Sequence, residues 1–157
     1  MKRLACSGIL IACMAMPVSA ETLILASPEE KACGPHGYSY KSGYTLESVD
    51  PSGGTLVSKR LAELVAAKKG AGVSKVHTAT VSPKNCVAVA FMDKKVGTCE
   101  WRTFTWKVAG DAETAQAAVE KVLASEVNLK NSGVQEVRCA MPPKPPESKD
   151  TAWAIRG

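Results

Sequence analysis

A chain of 157 residues suits one domain built around one hydrophobic core, and 45% apolar with 22% charged residues is the balance of an ordinary globular protein. The formal charge of +5 is mild, and its lysines are scattered in short doublets such as Lys68-Lys69 and Lys94-Lys95. A nucleic-acid surface would cluster basic residues on one face among aromatic side chains, so this composition speaks against a nucleic-acid partner.

The chain begins as an export signal. Met1-Lys2-Arg3 gives a basic start, Leu4 to Met16 is apolar apart from Ser7, and Pro17-Val18-Ser19-Ala20 supplies a turn and small residues before Glu21. The apolar run is too short to span a bilayer comfortably, and cleavage after Ala20 follows from the small residues at Val18 and Ala20. The expected organisation is a signal peptide at 1–20, a single α+β domain at 21–141 and a Pro-rich tail at 142–157, with a periplasmic or secreted destination. The competing reading takes Leu10-Ile11-Ala12-Cys13 as a lipobox, in which Cys13 is acylated and tethers the protein to a membrane. The continuation of the apolar run through Met14-Ala15-Met16 favours simple cleavage.

Loss of the leader removes Lys2 and Arg3, which lowers the charge by two, and also Cys6 and Cys13. Four cysteines remain: Cys33, Cys86, Cys99 and Cys139. An even count in an exported chain of this size points to two disulfides. Zinc is disfavoured, because its ligands normally come in close pairs and these four are widely spaced.

In chain order, Leu23-Ile24-Leu25 predicts an edge strand or short arm that ends at a turn, Ser27-Pro28-Glu29. The Gly-rich stretch from Cys33 to Gly54 carries Tyr38, Tyr40 and Tyr44 at even spacing, which predicts a loop and then a twisted strand near 37–49. Asp50-Pro51-Ser52-Gly53-Gly54 forms a turn. A helix follows, capped by Thr55 or Ser58, with Val57, Leu61, Leu64 and Val65 as its apolar stripe and Gly70 as its stop. Val73 to Val81, rich in Val and Thr, reads as a strand.

The uninterrupted apolar run Cys86 to Met92 predicts a strand covered on both faces. Asp93 to Gly97 is expected to turn the chain into a hairpin. Its second arm, 100–108, places Phe104, Trp106 and Val108 on one side and Trp101, Thr103 and Thr105 on the other. Asp111 caps a second helix, 112–127, with Ala115, Val119, Val122, Leu123 and Val127 as its stripe. A last strand covers 134–141, with Val137, Cys139 and Met141 inward, before Pro142-Pro143-Lys144-Pro145-Pro146.

The resulting expectation is an antiparallel sheet of about five strands with two helices packed on one face. The parallel between Gly72-Val73-x-x-Val76 and Gly133-Val134-x-x-Val137 suggests a duplicated β-β-α-β unit. If the hairpin turns near Lys95, Cys99 falls opposite Phe91, about five residues from Cys86. That distance disfavours their pairing and leaves Cys33 bonded either to Cys86 or to Cys99, with Cys139 taking the other. Cys33 with Cys99 and Cys86 with Cys139 is preferred, because Cys86 and Cys139 both lie on apolar strands that can run side by side.

Few residues invite chemistry. Cys33-Gly34-Pro35-His36 resembles the active-site tetrapeptide of thioredoxin-like oxidoreductases, with His36 where the second cysteine would stand. The resemblance implies a small thiol-dependent or redox enzyme in which His36 lowers the pKa of Cys33. The chain contains no phosphate loop and no nucleophile elbow. No cofactor or metal is expected. The leading expectation is a non-catalytic binding module that meets a protein or envelope component through Tyr38, Tyr40, Tyr44 and Trp101, with membrane contact only if Cys13 is lipidated.

Overall fold

The computed structural model describes residues 20–32, 43–50, 56–70, 73–97 and 99–141. Along them run β1 (Thr22–Ala32), β2 (Thr45–Val49), α1 (Val57–Lys68), β3 (Val73–Val81), β4 (Cys86–Val96), β5 (Cys99–Ala109), α2 (Ala112–Ser125) and β6 (Leu129–Cys139). The strands form two antiparallel three-stranded sheets, β2-β1-β3 and β5-β4-β6. Backbone pairing of Glu30–Ala32 with Glu100–Arg102 joins one sheet to the other. Each half thus has the order ββαβ with its first strand in the centre of its own sheet.

Two apolar runs force this layering. Along β1, Leu23 and Leu25 point to one side and Ile24 and Ala26 to the other, and all four are buried. Along β4, Val87 and Val89 oppose Ala88 and Ala90, again all buried. A sheet whose central strand is apolar on both faces must be covered twice. Leu23, Leu25, Val81, Val87 and Val89 meet in a core between the sheets, flanked by Leu46, Phe104 and Trp106. The outer face of the first sheet packs Ile24, Ala26 and Val49 under Leu64 of α1. The outer face of the second packs Ala88 and Ala90 under Ala115 and Val119 of α2.

Two helices on one face of a five-stranded sheet is therefore not the architecture. The helices lie on opposite outer faces, and the sheets face each other. Leu23-Ile24-Leu25 belongs to the central strand of its sheet, not to an edge, and the chain continues through Pro28 to Ala32 without turning. Pro28 is accommodated because β2 has ended at Thr45, opposite Ala26, so the first sheet asks for no hydrogen bond on that edge.

Other boundaries move for local reasons. The hairpin turns at Gly97, whose φ of +63° suits glycine, so Cys99 pairs with Val96 and Phe91 with Phe104. Cys86 then lies opposite Ala109, still farther from Cys99 than the sequence implied. The cap of α1 is Leu56, without a side-chain hydrogen bond, and Ser58 falls inside the helix. Asp111 caps α2 as expected, accepting from the Thr114 amide. The last strand starts at Leu129 and ends at Cys139, which leaves Met141 65% exposed instead of inward.

Cys86 and Cys139 are directly opposed on neighbouring strands and form a disulfide. The expected Cys33–Cys99 partner bond involves Cys33, which lies outside the described residues. No described helix is long and apolar enough to cross a membrane.

Candidate functional site

Where β1, still paired with β3, passes from the end of β2 to its first pairing with β5, a cleft of about 280 Å³ opens between the sheets. Its floor is β1. Ser27 and Glu29 continue the side of the strand that carries Leu23 and Leu25, so both aim toward the second sheet. Its first wall is β3, where His77 stands opposite Ser27 in register. The His77 imidazole Nε2 lies 3.1 Å from Glu29 Oε2, and both side chains are partly exposed. The other wall is β5, which contributes the rings of Phe104 and Trp106. Trp106 and His77 meet edge to face, with ring centroids 6.5 Å apart.

Two features of this cleft are unusual for a strand interior. The Ser27 side chain is buried, at 1% exposure, and no described residue hydrogen-bonds its hydroxyl. Buried polar groups normally have a partner, so an orphan hydroxyl against a cavity calls for one. Secondly, from Thr103 to Ala109 β5 pairs with β4 alone among the described residues. Thr103 and Thr105 project to the α2 side, opposite to Phe104 and Trp106, so what they present to the cleft is the free backbone edge of the strand. Beyond Trp106, Val108 continues the inner side and is 43% exposed.

Ser27, His77 and Glu29 are residue types of a hydrolytic triad, but their geometry is not that of one. Nucleophilic catalysis needs the hydroxyl within hydrogen-bond reach of the imidazole, and no such bond joins Ser27 to His77. Among the described residues, no group of three or more His, Cys, Asp or Glu side chains is placed to hold a metal ion.

A second, wider hollow of about 690 Å³ lies between the start of β1, β2 and the end of β6. Both of its arginines are engaged. Arg60 donates to both carboxylate oxygens of Glu47, at 3.0 and 3.1 Å, and Arg138 donates to the Leu46 carbonyl at 3.0 Å. The first cleft is the better candidate, because its polar groups converge and are only partly satisfied.

No protein-family model, curated protein or solved structure matches the chain. The site must accordingly be read from its own geometry.

Of the residues singled out from the sequence, Tyr44 has a well-defined place. Its hydroxyl donates to Glu136 Oε2 at 2.7 Å, and its ring packs on Phe104 at 5.1 Å, which makes it a bolt between the two halves. Burial, first, and the hydrogen bond to the Glu136 carboxylate, second, hold its phenol above the usual tyrosine range. Cys33, His36, Tyr38 and Tyr40 lie outside the described residues. The backbone of Trp101 pairs with Lys31 and Lys94, and its side chain is likewise outside what is described. Cys86 and Cys139 are together, in the disulfide.

The cleft residues Ser27 and Glu29 do not stand out in the sequence, whereas Trp106 is marked there with Phe104 on one side of the hairpin arm. Ser27-Pro28-Glu29 has the composition of a turn, and a partly exposed histidine on a strand, such as His77, needs no special role. The signal that marks them is the side-chain series of β1, apolar at Leu23 and Leu25 and polar at Ser27 and Glu29, with no accompanying end of the strand.

Proposed function

We propose that the protein is an exported, disulfide-stabilised, non-catalytic module that binds an extended polypeptide of the cell envelope or the extracellular space by adding it as a strand to β5. The observation that carries this reading is the edge of β5 from Thr103 to Ala109, unpaired among the described residues, which runs into the cleft between the sheets. A free strand edge is a template for main-chain hydrogen bonds, and a pocket beside it supplies side-chain selectivity. Natural sheets blunt exposed edges with charge or proline, yet this stretch carries only Lys107. Export is supported by the leader and by the Cys86–Cys139 disulfide, a bond that persists in oxidising compartments.

The test is amide hydrogen exchange on the oxidised protein, with and without a neutral pentapeptide of alternating threonine and valine. Strand addition is expected to slow exchange within Thr103–Ala109 and to leave α1 unchanged. Unaltered exchange along β5 at saturating peptide would refute the reading.

A further inference from the structure

We propose that the cleft is a specificity pocket for one basic side chain, lysine or arginine, carried by the segment that pairs with β5. The inference rests on the strand-addition reading, and it names what that strand must present. Three groups define the pocket chemically. The Glu29 carboxylate offers acceptor oxygens of which one, Oε2, is in contact with His77 and the other has no partner among the described residues. The Ser27 hydroxyl, buried and without a partner among the described residues, is a second acceptor on the same side of β1, one pleat away. The Trp106 indole lines the opposite wall, and an aromatic wall attracts a cation.

Size and charge narrow the occupant further. A volume of about 280 Å³ holds roughly nine waters, enough for one long side chain with little to spare. An apolar side chain would strip water from Ser27, Glu29 and His77 without replacing its hydrogen bonds, which is costly. An acidic one would meet the Glu29 carboxylate. Lys75 stands opposite Glu29 in register, but its exposed ammonium makes no ion pair with it, and solvent screens that charge. A lysine or arginine head group donates to both the Glu29 carboxylate and the Ser27 hydroxyl, and its aliphatic stem lies along Trp106 and Phe104.

The experiment compares two pentapeptides of alternating threonine and valine on the oxidised protein, one with arginine at the centre and one with citrulline, its neutral isostere. Binding is followed by the amide resonances of Thr103–Ala109 and the Trp106 indole. The arginine peptide is expected to bind about tenfold more tightly, the scale of one charge-assisted contact in a partly exposed site. Glu29→Gln should bring that ratio close to one, and Ser27→Ala should lower affinity for the arginine peptide without loss of stability. Equal binding of both peptides to the unmodified protein would overturn the basic-pocket inference and leave strand addition standing. Failure of every peptide to perturb β5 would overturn both. The comparison on the unmodified protein decides the matter even if a variant folds poorly.

Discussion

The two halves of the molecule, Thr22–Val81 and Cys86–Cys139, share one plan and differ in how it is held. Each half places its first strand in the centre, its second and third on the flanks and its helix outside. Yet β2 has five residues where β5 has eleven. The short β2 leaves one edge of the far end of β1 free to meet the other sheet, and the long β5 extends past that meeting with an edge that is unpaired among the described residues. Unequal strand lengths within one repeated topology are what create the cleft. The halves also differ in fastening: the second holds the disulfide and a side-chain cap on its helix, whereas α1 begins at Leu56 without a side-chain cap.

Among the described residues each half contains one bidentate arginine–carboxylate pair, and the two pairs differ in burial. In the second, Arg102 donates to both oxygens of Asp93 at 2.6 and 2.7 Å, and Asp93 is 6% exposed. The same guanidinium lies 4.6 Å from the centre of the Phe91 ring. In the first, Arg60 and Glu47 make a similar pair on the surface. Loss of the Asp93 carboxylate removes two charge-assisted hydrogen bonds at a buried position, whereas the Glu47 carboxylate is partly open to solvent. Asp93→Ala is therefore expected to lower the urea midpoint strongly, whereas Glu47→Ala should leave it almost unchanged, as solvent takes over from an exposed partner. Equal effects would mean that the two halves are fastened alike.

Tyr44 tests the seam between the halves. Tyr44→Phe keeps the ring on Phe104 but deletes the bond to Glu136, a loss of about 1 kcal/mol at neutral pH. The folded phenol titrates above its ordinary value of 10.0, so its contribution is complete below that value. As pH rises past about 10, the unfolded chain releases the proton first and the stabilisation is lost. Denaturant titrations should show the native protein weakening in alkali more steeply than Tyr44→Phe. A parallel decline would remove Tyr44 from the seam.

Much of this plan is legible in the residues. The strand Val73–Val81 and the helix cap at Asp111 appear where the sequence places them. The uninterrupted run from Cys86 announces a strand covered on both faces, which β4 is. The layering was hidden by a local ambiguity: Leu23-Ile24-Leu25 is as short as an edge strand, and Pro28 after it has the look of a stop. Only pairing partners distant in sequence, Thr45–Val49 on one side and Val73–Val81 on the other, show that the run is central. Once β1 has two covered faces, as β4 has, helices on a single face no longer suffice. The cleft was illegible for the same reason, since Ser27, His77 and Trp106 are joined by no spacing within the chain. Their proximity is a product of strand order.

The smallest expected effect separates the two helices. Asp111 accepts from the Thr114 amide and hydroxyl, both at 2.7 Å, at the positive end of α2. The bond from the Thr114 amide, first, and that from its hydroxyl, second, hold the Asp111 carboxyl below its usual value of 3.8. A carboxyl depressed in the folded state stabilises at every pH above its unfolded value, and that share is lost as pH falls through the folded value. Asp111→Ala is thus expected to lower the melting temperature modestly at neutral pH, and the difference from the native protein should vanish in acid. Hydrogen exchange gives the location: the first turn of α2 should open in the variant, while α1, which begins without a side-chain cap, should exchange at its native rate. Faster exchange in both helices would mean that the sheets transmit the loss from one outer face to the other. The halves would then melt as one unit despite their unequal fastening.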